Sequence, residues 1–152
     1  MKAVNFRIFL FLTFLLFVGG IAVKGQSKVC FVTTYFWDNE SKSSSSRSLV
    51  GKFPLELDGD QLVKELKYSK TSTNVYVGVE QITSVSSQKP KTLRVAISFD
   101  GNAENIFDEL NRAEAETVYD RNWRFLSVSK NIKIEHRVYT FTFSCEKENT
   151  DH

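Results

Sequence analysis

The sequence predicts an α+β domain: a mostly antiparallel sheet of about six strands, one well-defined helix over about 103–117 and a shorter helix over about 61–68. Three observations predict it. Runs of alternating β-branched and aromatic residues recur along the chain, the pattern of half-buried strands. Residues 103–117 instead place apolar side chains at helical spacing. Clusters of Ser, Asp, Gly and Pro separate these runs. A β-sandwich with a helical insertion is the alternative architecture.

The first strand is KVCFVTTYFW, residues 28–37, with Val29, Phe31, Thr33, Tyr35 and Trp37 on one face. A polar stretch from Asp38 to Ser48 holds four consecutive serines and reads as a loop. Leu49 to Leu57 reads as a strand, and Pro54 makes it an edge strand or puts a break in it because proline has no N–H for a ladder. Asp58-Gly59-Asp60 is a turn. Leu62, Val63 and Leu66 suggest a short helix over 61–68. Asn74 to Ile82 and Thr92 to Phe99 alternate cleanly and should pair as an antiparallel hairpin across a polar loop. Asn102 caps the 103–117 helix, whose core face is Ala103, Ile106, Phe107, Leu110, Ala113 and Thr117. Arg121 to Val128 is a strand, and Ser129-Lys130-Asn131 a turn. In Ile132 to Cys145 the apolar residues move from even to odd positions, which calls for a bulge or corner near 136–139.

Domain organisation starts at the N-terminus. Lys2 and Arg7 precede the apolar run Ile8 to Val18, and Gly19-Gly20 ends it. That is the order of a secretory signal, and the uncharged span is shorter than the ~20 residues a membrane helix needs. Residues 1–25 are therefore read as a signal peptide, 26–145 as one globular domain and 146–152 as a polar tail. Cleavage after Ala22 is the alternative site. The chain has 20 basic and 18 acidic residues. Loss of Lys2, Arg7 and Lys24 turns its net charge from +2 to −1. That leaves no basic excess for nucleic acid and no transmembrane segment in the mature chain.

Cys30 and Cys145 are the only cysteines, and in an exported chain an even pair reads as a disulfide, here joining the first and last strands. Asn39-Glu40-Ser41 is the single N-glycosylation sequon, in the loop after the first strand. Catalytic chemistry is poorly supplied. His136 is the only histidine inside the domain and is read as structural, on the face of Ile132 and Ile134. No phosphate cradle, no nucleophile elbow and no metal-ligand spacing is present, so no enzyme activity, cofactor or metal is expected.

The leading expectation is a secreted, non-enzymatic binding domain stabilised by one disulfide, with an extracellular protein or glycan as partner. Phe36, Trp37 and the Asn39 loop are its candidate contacts. Glu104, Asp108 and Glu109, with Glu114 and Glu116, form an acidic helix face that could meet a basic partner. A second reading is a carrier of a small apolar ligand in a cavity lined by Phe99, Phe107, Phe125 and Phe141. A hydrolase is third; it requires His136 exposed in a cleft beside a carboxylate or hydroxyl.

Overall fold

The computed structural model describes residues 28–83, 91–99, 106–109, 111–119 and 123–147. These form nine strands: β1 (Lys28–Asp38), β2 (Ser43–Ser44), β3 (Ser48–Pro54), β4 (Gln61–Tyr68), β5 (Thr73–Ile82), β6 (Thr92–Ser98), β7 (Ala113–Val118), β8 (Phe125–Ile134) and β9 (Arg137–Lys147). One sheet has the order β2-β1-β9-β8, with β3 also paired to β1. The other is the meander β4-β5-β6-β7, and every pairing is antiparallel. The domain is thus all-β, and the α+β expectation is corrected. The alternative anticipated two packed sheets but placed a helix between strands, and the described residues contain none.

Each misplaced helix has a physical reason. In Ala113–Val118, a separation of four residues keeps side chains on one side of a helix and also on one side of a strand. Ala113, Ala115 and Thr117 pair opposite Ile97, Val95 and Leu93, while Glu114 and Glu116 point outward. Good helix formers thus lie in a strand because a hydrophobic neighbour is there to pair with. Residues 106–108 are a turn, and 103–105 and 110 lie outside the described residues. The 61–68 segment follows the same rule: Leu62 and Leu66 pair opposite Val79 and Val75, with lysines tolerated because β4 is an edge strand. Pro54 does end a strand paired on one side only. β9 runs on through Glu146 and Lys147, where the polar tail was placed.

The phase change in the last run is a hairpin rather than a bulge. Ile134 pairs with Arg137, and Glu135-His136 is the two-residue loop between them, with Glu135 at φ 54°. His136 therefore sits in a turn and not on the face of Ile132 and Ile134. Ser129-Lys130-Asn131, expected as a turn, lies inside β8 and pairs with Thr142, Phe141 and Thr140.

The core lies between the sheets. Cys30, Val32, Phe141, Phe143 and Cys145 come from one sheet, and Val75, Val77, Val79, Leu93, Val95 and Ile97 from the other. Burying each such side chain contributes about 1.5–3 kcal/mol. Aromatic contacts join the layers: Tyr68 meets Phe141 edge-on at 5.5 Å and Phe99 meets it at 5.2 Å. Burial, with the nearby Tyr139, pushes the Tyr68 phenol up. Cys30 and Cys145 are directly opposed in the β1–β9 ladder, Cα atoms 4.1 Å apart, and are joined by a disulfide. At the crossover from β7 to β8, the Lys28 ammonium lies 4.5 Å over the Tyr119 ring, donates to its hydroxyl and fastens the start of β1.

The centre of the four-stranded sheet is covered on its outer side as well. Ile106 is fully buried there, and a Cβ on Gly78 would stand 2.6 Å from Ile106 Cγ2 and 3.0 Å from Phe107 Cε2. Glycine at 78 is what lets the turn lie against the strand. Gly78→Ala should therefore destabilise the domain by about 1–3 kcal/mol through overpacking. Urea unfolding checks this, and an unchanged midpoint would mean the turn does not rest there.

Candidate functional site

β1 is the spine of the candidate site because it carries two different faces. Its even residues Cys30, Val32 and Thr34 point into the sandwich; its odd residues point out. The register of its neighbours then fixes what surrounds them. Leu49, Thr33, Thr142 and Ser129 form one row across the outer face of the five-stranded sheet. Tyr35, Thr140 and Asn131 form the next, and Ser44, Trp37, Val138 and Lys133 the last. On the other side of the Leu49 row come Lys52, Phe31, Ser144 and Ser127, and beyond them Pro54, Val29, Glu146 and Phe125. The Ser129 and Thr142 hydroxyl oxygens lie 2.8 Å apart.

This face exposes three of the four large apolar side chains that stand out to solvent among the described residues: Leu49 at 62%, Phe125 at 55% and Trp37 at 42%. Around them lie hydroxyls and one carboxamide, with Phe31, Val29, Pro54 and Val138 and the charged Lys52, Lys133 and Glu146 in the flanking rows. The Leu49 and Tyr35 rows carry no ionisable acid or base apart from the Tyr35 phenol, although the Arg47 guanidinium reaches over the Tyr35 ring at 6.0 Å. Such a surface offers apolar contact together with many neutral donors and acceptors.

The other candidates are distributed differently. Phe36 faces inward: its ring is 5.3 Å from Tyr139, and the Arg137 guanidinium covers it at 4.8 Å. It packs on the core while Trp37 stands in the open, so the two do not share a surface. Asn39 is exposed in the β1–β2 turn. Glu104 lies outside the described residues. Asp108 is exposed, and Glu109 offers its backbone carbonyl to Arg112 Nη1 at 2.7 Å. Glu114 belongs to β7 and pairs with Arg112 at 2.7 Å and Arg94 at 3.8 Å, so Glu114 and Glu116 stand on a strand and not on a helix face. The four phenylalanines proposed to line a cavity are dispersed. Phe99 and Phe141 pack in the core, Phe107 lies under Arg94 on the outer side of one sheet, and Phe125 is on the outer side of the other.

One polar cluster escaped the sequence reading. Asp38 Oδ1 accepts the N–H groups of Glu40 at 2.9 Å and Ser41 at 3.1 Å. Its Oδ2 accepts from Arg137 Nε at 3.0 Å and faces His136 Nε2 at 3.3 Å. The Asn39 N–H donates to the His136 carbonyl at 3.0 Å. The carboxylate therefore binds the β1–β2 turn to the β8–β9 hairpin. Nothing local signals a bond between residues 99 apart in sequence. His136 is partly exposed, at 31%, with Asp38 and Glu40 as its ionic partners. Its neighbouring carboxylate is already engaged by two amides and a guanidinium, which is the arrangement of a structural clamp. The alternation Tyr139, Thr140, Phe141, Thr142, Phe143, Ser144 separates apolar from hydroxyl positions within β9, but the hydroxyl rows form only when four strands are in register.

The Ser41 amide, then Arg137, hold the Asp38 carboxyl far below the usual carboxylate range, with Glu40 and His136 adding to them against its burial. Its stabilising effect is therefore present above the ordinary value of 3.8 and lost as pH falls through the lower folded-state value. Wild type should lose stability more steeply than Asp38→Asn between about pH 5 and 2. Chemical denaturation across that range tests this, and parallel profiles would remove Asp38 as the clamp. Comparison of the chain with protein-family models, curated proteins and solved structures finds no match.

Proposed function

We propose that the chain is a secreted, non-enzymatic recognition domain that binds through the outer face of its five-stranded sheet. The observation that carries this is the exposure of Leu49 and Phe125 at opposite edges of a face whose central rows are rich in hydroxyls. The leading apolar segment and the Cys30–Cys145 disulfide support export to an oxidising compartment. Exposed apolar side chains that share a face with hydrogen-bonding groups are suited to anchor a partner. The Leu49 and Tyr35 rows, which hold hydroxyls, one carboxamide and no ionisable group but the Tyr35 phenol, favour a neutral partner, a glycan, whose rings pack on apolar groups and whose hydroxyls exchange hydrogen bonds with Ser and Thr. An extracellular protein is the other outcome of the test. The part that His136 and Asp38 play in joining two turns favours a binding role over catalysis.

The test uses the secreted protein on arrays of glycans and extracellular proteins. Leu49→Glu and Ser129→Lys place charge within one row without touching the core. Each should weaken binding by about tenfold or more, worth about 1.4 kcal/mol, with an unchanged denaturation midpoint. Full binding by both variants would refute the assignment of the face. Hydrolysis of an array substrate, abolished by His136→Ala, would refute the non-enzymatic reading.

A further inference from the structure

The turn after β1 carries a second feature, independent of the recognition face except that it too presupposes export. Trp37 pairs with Ser44 and Asp38 with Ser43, leaving a four-residue loop, 39–42, that closes with Lys42 at φ 53°. The loop backbone is held by the two amides on Asp38 Oδ1 and by the Asn39 N–H on the His136 carbonyl. The Asn39 carboxamide, in contrast, is exposed and makes no hydrogen bond among the described residues. It begins the sequon Asn39-Glu40-Ser41, and the outward-facing aromatic two residues before it is Trp37, exposed at 42%. An indole that large gains little from standing in water, and what lies beside it is the attachment point for a sugar.

We propose that Asn39 is N-glycosylated and that its first N-acetylglucosamine lies on the Trp37 ring. In the secretory pathway a transferase takes the oligosaccharide from a polyprenyl diphosphate donor. The bond between the anomeric carbon and the diphosphate oxygen breaks, and a bond from that carbon to Asn39 Nδ2 forms. The diphosphate leaves with the bonding electron pair, and the amide nitrogen gives up one proton. The hairpin then sets the geometry. Trp37 is the last outward residue of β1, and Asn39 follows two positions later with its N–H still bonded across to the His136 carbonyl, the spacing that returns to the same face of an extended chain. One face of the pyranose ring presents C–H groups with partial positive hydrogens, and these match the negative face of an indole. The backbone bonds to Asp38 and His136 hold sugar and ring in register without using either side chain. The glycan borders the recognition face at the Trp37 end and leaves the Leu49 and Phe125 ends open.

The test is expression of the full chain in a eukaryotic secretory culture. Intact mass before and after enzymatic deglycosylation should show one glycan, absent from Asn39→Gln and Ser41→Ala. In the glycosylated protein the ring protons of the first N-acetylglucosamine should resonate upfield of the same protons in Trp37→Ala, by ring-current shielding. Deglycosylation should lower the denaturation midpoint of wild type and leave that of Trp37→Ala unchanged; Trp37→Phe should retain part of the effect. A chain exported without a glycan, or retained in the cell unmodified, overturns the site. A glycan with no upfield shift, or with equal effects in wild type and Trp37→Ala, overturns the stacking. An exported, unglycosylated chain that still binds through Leu49 and Ser129 would sink this inference and leave the recognition face standing.

Discussion

The pairing of the first long strand with the last is the constraint on which the rest of this structure depends. β1 and β9 are matched over eleven consecutive positions in the middle of the five-stranded sheet, although they come from opposite ends of the domain. Bringing them together closes a loop of 115 residues, which is an entropic cost before it is a gain. The disulfide lies across that ladder, where it removes most of that cost from folding by restricting the unfolded chain. In the chain-entropy account a closure of this length is worth about 4–5 kcal/mol. β2 and β3 have only β1 to pair with, and β8 pairs only with β9, so the whole sheet hangs on the β1–β9 seam.

The same seam makes two surfaces at once. Inward, it supplies the aromatics that meet Tyr68 and Phe99 from the opposite sheet. Outward, it supplies a central band of Thr33, Tyr35, Thr140 and Thr142. A strand buried on both sides would have been apolar throughout. β9 instead carries Tyr, Phe and Cys inward and Thr and Ser outward between Val138 and Glu146, the composition of a strand with one side apolar and one side polar. At one end of the seam the Asp38 carboxylate joins both adjacent turns, and that junction holds the Asn39 loop at a fixed place relative to the sheet.

Legibility in the sequence followed the strength of the local pattern. β5 and β6 alternate so clearly that strand, face and hairpin partner could all be read, whereas the two halves of the 132–145 run showed strand and a change of face but not that they pair with each other. The disulfide was legible because two cysteines in strand-like runs leave one connectivity. β4 and β7 were not, because Leu62/Leu66 and Ala113/Thr117 satisfy both the helical and the extended period; only the valine-rich partners decide between them. The Glu135-His136 loop is hidden in the sequence because neither residue is a usual hairpin turn former, so the phase change reads as a bulge or corner. Trp37 and Asn39 are singled out in the sequence by residue type alone. The outer face as a unit is not, since Leu49, Thr33, Thr142 and Ser129 become a row only once four strands are in register.

The most direct measurement of the central claim is guanidinium unfolding followed by far-UV circular dichroism and tryptophan fluorescence, with and without reductant. Reduction of Cys30–Cys145 should lower stability by about 2–5 kcal/mol, and the two probes should keep coincident transitions because both sheets depend on the seam. An unchanged midpoint on reduction, or a tryptophan transition separated from loss of strand signal, would contradict the account.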